Sequence, residues 1–327
     1  MEGEFTYMKS WEGEEPQTVA RGVAGMKIVF ANVYFADNLT DMNQSWVLID
    51  AGLYGSANRI RRAAENRYGK GSRPAAILLT HGHFDHVGAL RQLAEEWQVP
   101  IYAHPLELPY LTGLSAYPPP DPTVGGGAMA ALSFMYPKHP IDVSDRVQPL
   151  PADGSVPGLS DDWKWVHTPG HTAGHVSFFR QSDRTLIVGD AFVTTKQESA
   201  LAVMQQRQEL HGPPAYFTPD WVAARQSVAR LTELNPQVAA TGHGVPMYGE
   251  ELTTGLQNLT LHFDELAVPR TGRYVEEPAI TDATGVVSVP PPVVDPLTTT
   301  LVTVGVAALA GTALMLARRE RNGRSSE

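Results

Sequence analysis

Three histidines and an aspartate fall within six positions, His81-Gly82-His83-Phe84-Asp85-His86, in a chain of 327 residues with 11 histidines in all. Crowding imidazoles together gains little unless a cation binds them, so the run reads as part of a metal site. At an extended strand end side chains alternate with period two, so His81 and His83 point the same way and can converge on one ion. Asp85 and His86 lie past the turn and can face a second ion. Three further candidates stand beside glycine near the ends of strand-like runs. They are His171 in Thr168-Pro169-Gly170-His171-Thr172-Ala173-Gly174-His175, Asp190 in Val188-Gly189-Asp190, and His243 in Thr241-Gly242-His243-Gly244. Glycine there permits tight turns that aim a side chain inward. Two three-ligand sets with a shared carboxylate would hold two ions roughly 3.5–4 Å apart. The chain has no cysteine, so any metal is held by His, Asp or Glu. His175 is not needed to fill either set. His104, His139, His211 and His262 lack a partner motif and read as ordinary core or surface histidines.

Positioning these groups falls to short apolar elements. Lys27–Phe35 and Ser45–Ile49, rich in β-branched and aromatic residues, read as strands. Ala57–Tyr68 reads as a helix, and Ala76–Thr80 is an apolar run of buried-strand length that leads directly into the histidine run. Leu90, Leu93, Ala94 and Trp97 then repeat at helical spacing, and Val99–Ala103 is strand-like. The motif therefore lies in a loop between a buried strand and an amphipathic helix, where a rigid scaffold commonly presents functional side chains. The stretch Tyr117–Pro140 is irregular and holds an apolar patch from Met129 to Tyr136, either a lid over a pocket or ordinary core packing. Trp163–His167, His175–Arg180, Thr185–Val188 and Val238–Thr241 read as strands. Thr218-Pro219 looks like a helix cap followed by proline at the first helical position. The helix it opens carries Trp221, Ala224, Val228 and Leu231 on one side. A last amphipathic helix carries Leu252, Leu256, Leu259, Phe263 and Leu266. Strands and helices alternate twice over, which favours an α/β layered architecture with helices outside the sheets.

At this point the sequence resembles the metallo-β-lactamase superfamily, whose signature Thr-His-x-His-x-Asp-His is matched without a gap by Thr80–His86. The downstream order histidine, aspartate, histidine also matches, carried by His171, Asp190 and His243. The resemblance covers roughly Gly22 to Ala267 and is specific at superfamily level. It implies an αββα sandwich, two mixed β-sheets flanked by helices, with the site at one edge. It implies that His81, His83 and His171 bind one ion, that Asp85, His86 and His243 bind the other, and that Asp190 bridges them. The expected ions are two zinc, with iron or manganese as alternatives that a ligand set alone does not separate. Asp50 matches the family's strand-end aspartate and reads either as a residue that orients a ligand or as a strand-end turn residue.

The chemistry implied is attack by a metal-bound hydroxide, available near neutral pH although free water has a pKa of about 15.7. Asp85 or a metal-held water shuttles the proton. The stretch Thr168–His175 looks like that of glyoxalase II, lactonases and related small-molecule hydrolases. Two departures weaken glyoxalase II itself. After Asp190 the chain reads Ala191-Phe192-Val193-Thr194-Thr195-Lys196 rather than a Gly-Cys-Gly-Arg-like segment, and no basic glutathione-binding helical domain follows. The expected substrate is a small, neutral or modestly apolar ester, thioester or lactone. The alternatives are an iron-dependent oxidoreductase of the same fold, similar to persulfide dioxygenases, a β-lactamase, or a catalytically silent scaffold.

Hydrophobic residues make up 43% of the chain and charged residues 18%, enough apolar surface for a sizeable core. The net charge is −10, with 35 acidic against 25 basic side chains, which argues against a nucleic-acid partner. The acidic start, MEGEFTYMKSWEGEEPQ, does not read as a secretory signal, so a cytoplasmic catalytic domain is expected. The expected organisation is an extension over 1–21, a catalytic domain over 22–268, a proline-rich linker over 269–295 and an apolar helix with a basic tail over 296–327. The uncharged stretch 296–317 is long enough to cross a bilayer core, for which about 20 residues suffice. It reads as a membrane tether or as a helix packed on the domain, and its length favours the tether. No feature speaks to oligomeric state.

Overall fold

The computed structural model describes residues 10–11, 13, 15–41 and 45–293. The chain divides into a unit that ends at Pro290 and one that starts at Pro291, and every element below belongs to the former. The stretch 296–317, expected as a tether, lies outside the described residues. Among the described residues no helix is long and apolar enough to cross a membrane.

Seven strands form the first sheet in sequence order: β1 (Gln17–Ala20), β2 (Val23–Ile28), β3 (Ala31–Asp37), β4 (Trp46–Ile49), β5 (Ala76–Leu78), β6 (Ile101–Ala103) and β7 (Val147–Pro149). Pairing is antiparallel through β4 and parallel from β4 to β7. The second sheet holds β8 (Trp163–His167), β9 (Val176–Arg180), β10 (Thr185–Gly189), β11 (Val238–Thr241) and β12 (Met247–Tyr248), with β10 and β11 parallel and the other pairs antiparallel. Each sheet is thus drawn from one unbroken stretch of chain.

Both sheets are apolar on both faces, and alternation sorts their side chains into three cores. Val33 and Phe35 of β3, with Trp46 and Leu48 of β4, pack outward against the helices Ala57–Tyr68 and Leu90–Trp97. Tyr34, Ala36, Val47 and Ile49 point the other way and meet Val176, Phe178, Ile187 and Ala240 of the second sheet. Leu186, Val188 and Ala239 face outward onto Trp221, Val228, Leu231, Leu252 and Leu256 of the helices Trp221–Glu233 and Gly249–Leu261. The order helix, sheet, sheet, helix is the expected αββα sandwich. Polar ties also join the sheets at one end, where the Tyr34 hydroxyl and the Asn32 amide both donate to the Thr241 carbonyl, at 2.6 and 2.8 Å.

Four expectations are corrected. Lys27–Phe35 is not one strand but parts of β2 and β3, which turn at Val29 in a left-handed conformation (φ 60°) without the usual glycine or asparagine. The helix cap is Asp220 rather than Thr218, with its carboxylate accepting from Ala223 N–H at 2.9 Å; Thr218 instead donates to the Pro214 carbonyl. The last helix breaks after Leu261 and resumes at Phe263, leaving Leu266 exposed. The stretch from Pro269, expected as a linker, carries the small sheet β13 (Ile280–Asp282) and β14 (Gly285–Ser288). This segment is fastened by Arg273 N–H to Asp121, Tyr274 hydroxyl to the Pro119 carbonyl, and Ala279 N–H to the Pro219 carbonyl.

Candidate metal centre

All of the chemistry-bearing residues follow the C-terminal ends of strands at one edge of the sandwich. Asp50 follows β4, the run His81–His86 follows β5, His171 and His175 lie between β8 and β9, Asp190 follows β10, and His243 follows β11. A short helix, Phe84–Val87, turns Asp85 and His86 back toward the two earlier histidines. Glycine is required where these loops crowd. A Cβ on Gly242 would sit 2.0 Å from Asp190 Oδ1, and Gly189 has φ 63° with His175 Nε2 2.5 Å from where its Cβ would be.

The seven candidate ligands are brought together, and each is buried. Donor atoms of His81, His83 and His171 lie within 4.8 Å of one another, as do those of Asp85, His86 and His243, and those of His81, His86 and Asp190. Asp190 stands between the two expected sets: its Oδ2 is 3.4 Å from His171 Nε2 and 3.0 Å from His243 Nε2, and its Oδ1 is 3.7 Å from His86 Nε2. Asp85 Oδ2 is 3.5 Å from His243 Nε2.

The outer ring nitrogens of four of the five candidate histidine ligands are anchored, which fixes those rings and turns the other nitrogen inward, while His83 Nδ1 lies 2.9 Å from His171 Nε2. His81 Nδ1 is 3.0 Å from the Thr80 hydroxyl, His86 Nδ1 2.8 Å from Asp50, His171 Nδ1 3.4 Å from the Thr218 hydroxyl, and His243 Nδ1 2.8 Å from the Phe30 carbonyl. Asp50 also accepts from the backbone N–H and hydroxyl of Thr80, both at 2.8 Å. It thereby ties the strand that precedes the motif to the histidine that ends it. His175 spends both nitrogens on the scaffold, one on the Thr168 hydroxyl and one accepting from Asp190 N–H, each at 2.8 Å.

The electrostatics suit a cation. Burial, helped by crowding among the imidazoles, holds His81 and His171 well below the usual histidine range, and burial holds His83 at about 3. Burial opposes ionisation of Asp190, but His243 and His86 outweigh it and hold the carboxyl well below the usual range. Three imidazoles and the Asp190 carboxylate are thus in the protonation states that metal binding requires. Burial of His86 and His243 is outweighed by Asp190, which raises His86 to about 10 and raises His243 as well, so these two rings must each shed a proton to take up an ion. His81 Nε2, His86 Nε2 and Asp190 Oδ1 are buried without a hydrogen-bond partner in the protein. Each such atom costs about 1–3 kcal/mol, and all three belong to one of the donor groups above. The residues therefore fit a metal, and the chain carries a buried His/Asp metal-binding cluster.

A cavity of about 250 Å³ opens beside His83 and His171. Its walls are aromatic and proline-rich, including Tyr110, Tyr117, Phe217, Pro118 and Pro219, and the fastened segment after Pro269 supplies Tyr274, Ala279 and Thr281. Among the described residues no lysine or arginine lines it, and Asp220 is the one acidic side chain that does. The Met129–Tyr136 patch is not part of this wall. Met129 and Tyr136 pack on the core beneath the second sheet's helices, while Phe134 and Met135 are exposed. Sequence reasoning missed Thr218, the Phe30 carbonyl and Glu107. Only Thr218 carried a local signal, and its Thr-Pro pair was read as a helix start.

Residues 28–243 match the sequence model of the metallo-β-lactamase superfamily. The chain is 49% identical over 255 residues to a Bacillus subtilis (strain 168) protein described as probable metallo-hydrolase YflN, covering 78% of this chain and 95% of that one. It is similar in fold to a β-lactamase domain protein from Burkholderia ambifaria, with a TM-score of 0.53 and 18% identity over 80% of this chain and 79% of that one. A metallo-β-lactamase family protein from Thermus thermophilus gives a TM-score of 0.51 at 17% identity over 76% and 81% of the two chains.

Proposed function

We propose that this chain, which belongs to the metallo-β-lactamase superfamily, is a two-zinc hydrolase of small uncharged esters, thioesters or lactones. The observation that carries the reading is the juxtaposition of a buried seven-donor cluster with a largely apolar cavity that no lysine or arginine among the described residues lines. Away from the ions, a substrate carrying further phosphates or carboxylates would meet no described lysine or arginine in the cavity wall, and Asp220 would repel it. The volume of about 250 Å³ lies below the roughly 300–1,000 Å³ of drug-sized ligand sites, so the substrate is small.

His81, His83 and His171 would hold one ion, Asp85, His86 and His243 the other, and Asp190 both. Bound there, the pair supplies a nucleophilic hydroxide near neutral pH and an electrophile for the substrate carbonyl. The chain's residues do the rest. Asp50, Thr80, Thr218 and the Phe30 carbonyl hold the ligand rings in orientation. Tyr110, Tyr117, Phe217 and Tyr274 bind the acyl or ring portion and exclude water from it. Asp85 takes the proton-shuttling role, because its side chain is 9% exposed against 2% for Asp190 and is the more open of these two carboxylates.

A panel of acyl-thioesters, lactones, aryl esters and phosphodiesters, run with elemental analysis, tests this reading. The expected result is turnover of neutral lactones or esters by protein with two zinc ions per chain. Preference for phosphodiesters, or iron with oxygen consumption, overturns it. The same reading keeps the domain in the cytoplasm with 296–317 as a tether, and recovery of full-length protein without detergent overturns the tether alone.

A further inference from the structure

Glu107 is a fully buried carboxylate outside the histidine motifs, on the short helical turn Pro105–Glu107 that follows β6. Its Oε1 accepts from the Thr172 hydroxyl at 2.6 Å and from Gly174 N–H at 3.0 Å. Its Oε2 accepts from Gly82 N–H at 2.9 Å and from the Tyr117 hydroxyl. Gly82 lies between His81 and His83, while Thr172 and Gly174 lie between His171 and His175. One carboxylate therefore spans the two loops that carry His81, His83 and His171. The glycines make the approach feasible: a Cβ on Gly174 would meet Glu107 Cγ at 2.8 Å, and one on Gly82 would meet the Tyr117 hydroxyl at 2.6 Å. Asp85, His86 and His243 receive no contact from it; Asp50 and the Phe30 carbonyl hold His86 and His243 instead.

We propose that Glu107 is a positioning residue that clamps the His81–His83 loop to the His171–His175 loop and so sets one half of the metal centre selectively. The inference rests on the metal-centre reading above. All four partners present a hydrogen, and two of them are backbone amides that cannot reverse direction. An isosteric glutamine must therefore turn its own N–H toward either Gly82 N–H or Gly174 N–H, whichever way the amide is placed. The loops then separate, although the shape of the side chain is unchanged.

The test uses full-length protein, stripped of metal and titrated with Co2+ alone. Each half is isolated in its own background: His243→Ala leaves the His81, His83, His171 set, and His171→Ala leaves the Asp85, His86, His243 set. Glu107→Gln is expected to weaken Co2+ binding by about ten- to hundred-fold in the first background and by less than about twofold in the second. Equal weakening in both backgrounds, as from a general loss of structure, overturns the proposal, and so does no weakening in either. If Glu107→Gln fails to fold, Tyr117→Phe removes one donor from the same carboxylate. A several-fold loss confined to the first background then supports the clamp, and an unselective or absent effect overturns it. Wild-type protein that takes up no metal sinks the metal-centre reading itself; wild-type protein that binds two ions while Glu107→Gln binds them equally well sinks only the clamp.

Discussion

Replacing Asp50 by asparagine exchanges a single side-chain oxygen for an amide nitrogen and, on this geometry, disables His86. Asp50 has φ 60°, a left-handed conformation that asparagine tolerates as well as aspartate, so the backbone is not perturbed. Its Oδ1 accepts from Thr80 N–H, and its Oδ2 lies 2.8 Å from both the Thr80 hydroxyl and His86 Nδ1. If the new amide nitrogen occupies the Oδ1 position, it opposes the Thr80 N–H and leaves a buried donor unpaired, at about 1–3 kcal/mol. If it occupies the Oδ2 position, His86 Nδ1 must accept, and the ring proton moves to Nε2. That is the atom 3.7 Å from Asp190 and 4.0 Å from Asp85, and once protonated it cannot bind a cation. Both placements cost stability or ligation, so metal affinity of the Asp85, His86, His243 half is expected to fall about ten- to hundred-fold, or about 1.4–2.7 kcal/mol. Co2+ titration of Asp50→Asn in the His171→Ala background measures the fall, and melting of the metal-free protein measures the unpaired donor. Affinity within about twofold of the parent, together with an unchanged melting temperature, would refute the argument. The selectivity is opposite to that expected for Glu107→Gln, so the two variants check each other.

Asp190→Ala should lower the content of both ions, whereas His175→Ala should keep two ions with weaker retention, because His175 holds Asp190 N–H and ligates nothing. Elemental analysis of protein never exposed to chelator reads both, and a single ion in the parent defeats the two-ion assignment. Burial and the stacked His167 ring push His104 down to about 4 from 6.5, so this ring's contribution to stability is full above about pH 6.5 and is lost as pH falls toward 4. His104→Asn keeps an acceptor for Leu106 N–H and removes the titration; its urea midpoint should drop less than the parent's between about pH 7 and about pH 5, and an equal drop counts against the assignment. Truncation after Val268 removes Tyr274, Ala279 and Thr281 from the cavity wall and should abolish turnover, while truncation after Val293 should retain it; full activity of the shorter form would show the wall to be dispensable.

The layers were legible because β3, β4 and β10 are short, nearly continuous runs rich in β-branched and aromatic residues, the pattern of strands buried on both faces. The seven donors were legible for a different reason: histidine density beside glycine has few uses other than ligation. Turn chemistry was less readable. Val29 adopts a left-handed turn that its β-branched side chain disfavours, and only the paired strands on either side reveal it. The proline-rich stretch after Pro269 has the composition of a linker, yet its backbone groups are claimed by Asp121 and Pro219, partners far away in sequence. Glu107 left no local trace, because its role depends on two loops that meet only in three dimensions.

The two sheets come from separate stretches of chain, 17–149 and 163–248, and this bears on how the protein matures. Each of the three donor groups takes two residues from the first stretch and one from the second: His171, Asp190 or His243. A growing chain that has emerged only as far as β7 therefore holds two donors of each group, with no third to close any of them. Ion capture has to wait until the later stretch has been synthesised and has docked on the earlier one. Because a preformed site is absent from the unordered chain, the free energy of binding is also free energy of assembly. Metal uptake at the complete site thus reports that the later stretch has docked on the earlier one.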